Sequence, residues 1–537
     1  LRLVPVRPLI VDALAYGRGK RQATRDVIGA GPRSIAGVLE SKGIEPRIAP
    51  VEEALGRAFD LSAYDLLMVS GMTSDLRSVR KMVARWRKGS DGPVLIGGPV
   101  ASDAEILRRV AADVAVTGEG ELTLLELLSL GLNEAIVPGE DELASVKGII
   151  YRTDAGTQVN PLRPRMGRKE YDELTPSTRT ISSYPLFRAA RVYVEALRGC
   201  SNYHRARVAL PEETCEACNL CRSGGLETRY DCPHGVPPGC GYCSVPSLFG
   251  PPKSRSVEKI QEEVESLLRE GVRRVVLSAP GFLDYGRDLL VEPEPLTDPR
   301  SPEPNYEALE RLLSGLSELA SMADGGASLM IENLKGDLVT ERAAKVLGQY
   351  LSGTPVNLGF ETGSDIHSRQ IGRSSTPREN LNAVRRLRKA GLKPYVYFVN
   401  GLPGQNEGTV KATVSAIDDS VTAGASRIIL YRFQPLPMSA FQDLPRAPPA
   451  ARDPLSGLVH DAAVRANSRL KEKLIGSRIR VVVAEPYSRD RMYHVAYPML
   501  HGPVVLVERA QGLEGEVVEV EVSGVASDRI VIGTLLR

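Results

Sequence analysis

At 537 residues the chain is too long for one compact fold; at roughly 150 residues per domain it divides into about three or four. Its 42% hydrophobic and 25% charged content and its 50 glycines exclude a disordered, collagenous or low-complexity chain. With 68 Lys and Arg against 66 Asp and Glu the net charge is +2, so no global polycation advertises nucleic-acid binding and any RNA contact has to come from a local patch. The apolar runs are strand-sized and broken by charges, and residues 1–10 hold two arginines and two prolines; neither a membrane span nor a secretory signal is legible, and a soluble, cytoplasmic protein is expected.

Residues 1–150 read as a doubly wound α/β domain. Strands in LIVDALAYG, DLLMVSGMTSD, PVLIGGPVASD and ADVAVTGEGE alternate with helices around Ser34–Lys42, through Val79–Trp86 and from Ala104. Residues 170–460 repeat the alternation. VYVEALRGC is a strand ending in Cys200; Ser256 caps a helix with Val257, Ile260, Val264 and Leu267 on one face, stopped by Gly271, and RRVVLS follows as a strand. LMIENL, VNLGFETGSD, PYVYFVNGLPGQ and RIILYRFQPLP supply later strands, with helices in LVTERAAKVLGQYL and near Arg378–Ala390. That order suits a partial (β/α)6 barrel of TIM type, whose functional residues belong at the C-terminal strand ends. QDLPRAPPAARDPLS at 442–456 is a Pro-rich connection. In 475–537 the pattern changes to short alternating strands, IRVVVAEP, GPVVLVER, GEVVEVEVSG and RIVIGTLL, parted by Gly and Asp turns and suited to a small C-terminal β-barrel.

All seven cysteines, at 200, 215, 218, 221, 232, 240 and 243, fall within 44 consecutive residues. An odd count without an export signal speaks for thiolate ligation of metal or clusters rather than for disulfides. Cys215, Cys218, Cys221 and the Cys232-Pro233 pair resemble the ferredoxin way of holding a [4Fe-4S] cubane. Cys200, Cys240 and Cys243 then remain for a second cluster with one iron lacking a protein thiolate. Two alternatives stay open: a structural zinc site, and a partition in which Cys232 joins Cys240 and Cys243 while Cys200 joins the CxxCxxC group. His204 and His234 are left out of both ligand sets.

The stretch from Arg191 to Gly286 resembles the opening of a radical SAM enzyme. Cys200 ends a strand, and GCGYC places aromatic Tyr242 directly before Cys243, as in the family's three-cysteine motif; the departure is the 39 residues between Cys200 and Cys240, read as a Cys-rich insert at 201–239. A loop can lengthen this way because its closure entropy rises only logarithmically. The resemblance implies catalytic thiolates at Cys200, Cys240 and Cys243, an open iron chelating S-adenosylmethionine, and reductive cleavage to a 5′-deoxyadenosyl radical, with the protein supplying ligation and orientation. It implies cofactor contacts at Tyr242, at Ser278 to Gly281 near the amino end of S-adenosylmethionine, at Glu361 on its ribose, at Arg373 near its carboxylate, and at Gly401 and Gly404 beside adenine. For each of these a plain structural role competes: a strand-end carboxylate, a salt-bridge arginine, a turn.

The N-terminal domain resembles the cobalamin-binding domain that precedes many radical SAM cores, down to its GEGE ending. Where a cobalt-ligating histidine is expected the chain has Asp12, Leu14 and Gly17, while Ser70, Gly97 and Gly98 fit the other nucleotide-loop motifs. The resemblance therefore leaves open cobalamin bound without a histidine or a scaffold that no longer binds it. The C-terminal strands resemble a TRAM domain, the RNA-gripping module of methylthiotransferases, with Arg478, Arg480, Arg489, Arg491 and Arg509 as its basic residues. The whole implies methyl or methylthio transfer onto RNA, such as tRNA, with ferredoxin or flavodoxin as electron donor. The alternatives are radical C–H activation or C–C bond formation on a lipid or other small molecule, and a non-catalytic zinc-stabilised RNA-binding protein.

Overall fold

The computed structural model describes residues 6–13, 25–208, 218–527 and 529–536. The chain divides into two compact units, residues 1–194 with 258–272, and residues 195–257 with 273–537.

In the first unit five parallel strands stand in the order Arg47–Pro50, Pro8–Asp12, Leu66–Ser70, Val94–Gly97, Val114–Val116. Two antiparallel strands, Ile149–Thr153 and Gly156–Val159, extend the sheet beyond the expected boundary at 150. Leu9, Val11, Leu67, Val69, Val94 and Ile96 are buried in one core, as strands covered on both faces require. The helix Leu76–Trp86 buries Val79, Met82, Val83 and Trp86, a stripe at helical spacing. The helix expected from Ala104 is only Ile106–Arg109, because Val110 turns to extended backbone to feed the next strand. The order 2-1-3-4-5 puts the topological switch point between Pro8–Asp12 and Leu66–Ser70, where open α/β sheets bind ligands. Most of the helix Val257–Arg269, expected in the barrel, belongs to this unit: Arg33 pairs with Glu263 at 2.9 Å, both side chains buried.

In the second unit Arg274–Ser278 pairs in parallel with Ser328–Ile331, and Asn333–Leu334, Pro355–Glu361, Lys393–Asn400 and Arg427–Arg432 form a parallel sheet. The crossover helices start on capping side chains: Asn305 for Tyr306–Ser317, Thr340 for Glu341–Leu351, Thr376 with Glu379 for Pro377–Lys389, and Asn406 for Glu407–Ala423. The C-terminal segment closes into a five-stranded barrel, Arg478–Pro486, Tyr493–Pro498, Val504–Glu508, Ile530–Leu535 and Val517–Val525 in spatial order. Val481, Val483, Val505, Val507, Val520, Val522 and Val531 fill it. Tyr493–Pro498 is absent from the sequence reading; it follows a polar turn and earns its place by pairing on both edges.

This barrel sits at the beginnings of the parallel strands. Ser328 Oγ donates to Met499 O at 2.7 Å, Arg273 Nε to Gly515 O at 3.1 Å, Arg480 to Gly325 O at 3.0 Å, and Tyr395 Oη meets His501 Nδ1 at 2.8 Å. Tyr395 and Asn400 lie on one strand, so the barrel is separated from the C-terminal strand ends by about 15–20 Å of strand at ~3.3 Å per residue.

Candidate radical SAM site

Cys200 is fixed by the backbone around it. The strand Leu197–Arg198 pairs antiparallel with Lys253–Ser254, and Cys200 N–H donates to Gly250 O at 3.0 Å. Gly199 has φ +92°, and a Cβ there would lie 2.2 Å from Pro251 O, so only glycine fits. After the insert the chain returns beside this point: Gly239 N–H bonds His204 O at 2.8 Å, and Gly241 N–H bonds Ile371 O at 2.9 Å. The Phe441 ring lies where a Cβ on Gly241 would be, 2.3 Å from its Cζ. Cys243 N–H then donates to Cys240 O at 2.8 Å.

Asn202 ties the two segments together. Its backbone N–H points at Cys200 Sγ (3.4 Å), and its Nδ2 reaches both Cys240 Sγ (3.4 Å) and Gly372 O (3.0 Å). Sequence reasoning missed this residue, whose only signal was its place two residues after Cys200. Cys200, Cys240 and Cys243 influence one another electrostatically. Burial pushes the Cys200 thiol up and the Cys243 thiol up to about 12, and Cys240 adds to both. Cys200 and Cys240 thus share Asn202, and Cys243 follows three residues on. Among the described residues no three His, Cys, Asp or Glu side chains converge as they would around a single metal ion. Two segments supplying three half-buried thiols, with amide N–H groups aimed at two of the sulfurs, suit an iron–sulfur cubane that keeps one iron free.

Against Cys240 lies Arg373. It reaches Cys240 Sγ at 3.8 Å, Tyr242 Oη at 3.4 Å and Glu361 Oε1 at 3.8 Å, and it bonds Gly359 O. Burial works against its charge, but Tyr242, Cys240 and Glu361 outweigh that and hold the guanidinium firmly protonated. Burial raises the Tyr242 phenol well above its ordinary value and also raises the Glu361 carboxyl, which Arg373 opposes. Glu361 has φ +65°, and the strand register shifts between Gly359 and Glu361. A positive φ in a non-glycine residue is strained, and here it coincides with the register shift at the strand end.

The other expected contacts are more dispersed. Ser278 ends its strand and donates to Glu332 Oε2 at 2.7 Å. Gly281 packs the stem of Lys335, whose Cε would be 3.0 Å from an added Cβ. Gly401 and Gly404 adopt φ +70° and +85° in the turn after Lys393–Asn400; an added Cβ would meet Ala447 at 2.3 Å and the His367 ring at 3.3 Å. Beside that turn Glu361, His367, Val399, Gln405 and Thr413 line a small pocket. His367, also missed by sequence reasoning, bonds Pro403 O at 2.8 Å and Thr362 Oγ1 at 3.1 Å, and burial lowers its pKa.

In the insert, Cys218, Cys221 and Cys232 line one pocket with Arg205, Arg207 and His234; Cys215 lies outside the described residues. Arg205 staples this region by donating to Arg229 O, Tyr230 O and Val236 O at 2.6–2.8 Å. In the first unit Asp12, Ser70 and Gly97 are successive register partners at the strand ends of the switch point, and Gly17 lies outside the described residues. Asp12 is buried and accepts from Tyr184 Oη at 2.9 Å. Gly97 faces open space, and a Cβ on Gly98 would meet Gly71 O at 2.8 Å and Ser70 Oγ at 3.3 Å. A glycine floor beside a hydroxyl fits the close approach of a flat or phosphorylated ligand. Residues 1–194 contain no histidine, so they offer no axial imidazole.

Among the described residues no helix is long and apolar enough to cross a membrane. Residues 226–417 match the radical SAM superfamily and residues 21–128 the B12 binding domain. An uncharacterized protein of Methanopyrus kandleri is 44% identical, over 98% of this chain and 96% of its own. A Methanocaldococcus jannaschii protein named for methylthiotransferase activity is 23% identical over 78% of each chain. The solved structure of the radical S-adenosylmethionine methyltransferase TsrM from Kitasatospora setae shares the fold, with TM-score 0.56 and 16% identity over 81% of this chain and 75% of that one. Cys240 and Cys243 lie within the residues of this match and Cys200 ahead of them, preceded by the cobalamin-type sheet, and the chain belongs to the radical SAM superfamily as an enzyme with a B12-binding domain and the [4Fe-4S] and S-adenosylmethionine cofactors of that family.

Proposed function

We propose that this enzyme transfers a methyl or methylthio group, with RNA as the substrate. The reading is supported chiefly by Asn202 bridging Cys200 and Cys240 across the insert, with Arg373 against Cys240 and Cys243 three residues on. Cluster and S-adenosylmethionine together supply one-electron cleavage of the sulfonium C–S bond. The chain's own part is to hold the thiolates and to exclude water around them. Arg373 offers a fixed positive charge to a carboxylate, Glu361 an acceptor to hydroxyl groups, and the turn at Gly401–Gly404 a close backbone approach.

Cobalamin is assigned to the Ser70, Gly97 and Gly98 cradle, held without a protein imidazole. Cys215, Cys218, Cys221 and Cys232 are assigned to an auxiliary [4Fe-4S] cluster, reduced with the first by a ferredoxin- or flavodoxin-type donor. The C-terminal barrel is read as TRAM-like. Arg489 and Arg491 stand exposed at its surface and supply phosphate contacts.

A second reading, chemistry on a lipid or other small molecule, is favoured by one observation: the barrel sits at the strand beginnings, away from Cys200 and Glu361. One experiment separates the two. The anaerobically reconstituted full chain is incubated with S-adenosylmethionine and total RNA or a lipid extract, and 5′-deoxyadenosine and mass shifts are followed. The RNA reading expects modified RNA, and binding that weakens with salt and loses slope in Arg489→Glu/Arg491→Glu. Modification confined to the lipid pool, with RNA binding unchanged in that variant, refutes it.

A further inference from the structure

Lys335 follows the short strand Asn333–Leu334, runs its stem along Gly281, and ends in a buried charged network beside Cys200. Its Nζ donates to Ser201 Oγ at 2.6 Å and pairs with Asp284 Oδ2 at 2.5 Å. Ser201 Oγ donates in turn to Asp284 at 3.0 Å, and Arg287 pairs with the other oxygen of Asp284 at 2.5 Å. The side chains of Asp284 and Arg287 are fully buried, and that of Lys335 is 8% exposed.

Two cations, Lys335 and Arg287, share the carboxylate of Asp284 here, and Lys335 is bonded to the residue next to Cys200. Asp337, two positions on, also faces Lys335; burial raises its carboxyl while Lys335 and Arg300 oppose that. An excess buried charge is costly unless an opposite charge stands nearby. Burial opposes ionisation of both Lys335 and Cys200, yet each favours the charged form of the other.

We infer that Lys335, held by Asp284 and Ser201, is a positioning residue that sets a fixed positive charge against the Cys200 thiolate and thereby raises the reduction potential of the iron–sulfur centre that cysteine helps to hold. A reduced cluster carries one more negative charge than an oxidised one, so a fixed cation in a low-dielectric setting stabilises it preferentially. The inference rests on the reading that Cys200, Cys240 and Cys243 hold the centre.

The test is a potentiometric titration of the reconstituted full-length chain, poised with dithionite and mediators and followed by EPR, using the signal that changes when S-adenosylmethionine is added. Lys335→Met is expected to lower the reduced-to-oxidised ratio at fixed potential at least tenfold, ~59 mV for one electron. Lys335→Arg stays within threefold of wild type, and Asp284→Asn shifts the ratio the other way. Should Lys335→Met not retain iron, Ser201→Ala, which removes only the hydroxyl bridge, is expected to shift in the same direction by less. An unshifted titration in Lys335→Met at wild-type iron content, an unshifted Ser201→Ala where that variant stands in, or shifts of one sign in Lys335→Met and Asp284→Asn, overturns the inference while leaving the cluster assignment intact. A wild-type chain that takes up no iron overturns the assignment itself, and the inference with it.

Discussion

His501 offers a direct measure of how the C-terminal barrel is docked. It hydrogen-bonds Tyr395 at 2.8 Å at the beginning of the Lys393–Asn400 strand. Burial lowers its pKa from 6.5 to about 4, with Lys393, Arg427 and Arg388 adding to the effect. The folded state therefore holds the imidazole neutral while the unfolded chain binds a proton below pH 6.5. Between about pH 6.5 and 4 the unfolded state carries more protons, so stability rises with pH and is lost on acidification. Integrated over that window the loss is about 3 kcal/mol at pH 4 relative to pH 8. Replacement by Gln keeps an acceptor for Tyr395 but cannot titrate. Chemical denaturation of wild type and His501→Gln from pH 8 to pH 4 is expected to give curves that diverge by about this amount on acidification, the wild type losing more. Parallel curves across the window would mean that His501 is solvated rather than buried, and that the barrel does not pack on the strand beginnings.

Two further substitutions probe the sites. Gly199→Ala places a Cβ 2.2 Å from Pro251 O on a residue at φ +92°, and is expected to cost several kcal/mol or to displace Cys200; iron and sulfide content after anaerobic reconstitution reports it, and a full cluster would contradict the steric argument. Gly98→Val fills the cradle beside Ser70 and Gly71, and should abolish cobalamin uptake measured by absorbance while leaving iron content unchanged; undiminished uptake would place the cofactor elsewhere.

Much of this was legible in local pattern. Short continuous apolar runs marked the strands Pro8–Asp12, Leu66–Ser70 and Arg274–Ser278, and Ser256 and Gly271 bracketed the helix Val257–Arg269, because such signals need only neighbours in the chain. The strand Tyr493–Pro498 was not, since it is short, follows a charged turn and becomes a strand through its pairing on both edges. Asn202, His367 and Lys335 were equally silent: nothing in an Asn two residues after a cysteine, or in a Lys after a short strand, says which sulfur or carboxylate it will meet.

The sequence by itself determined the chemistry available, since seven thiols within 44 residues and an aromatic before the last of them do not depend on any distant contact. Tertiary structure decided which thiols become neighbours, which buried cation faces them, and at which end of the strands the barrel docks. Cys200 and Cys240 are 40 positions apart, and Cys200 and Lys335 135. Closing such loops is resolved only by packing and by the demand that each buried charge find its counter-charge, which no local period encodes.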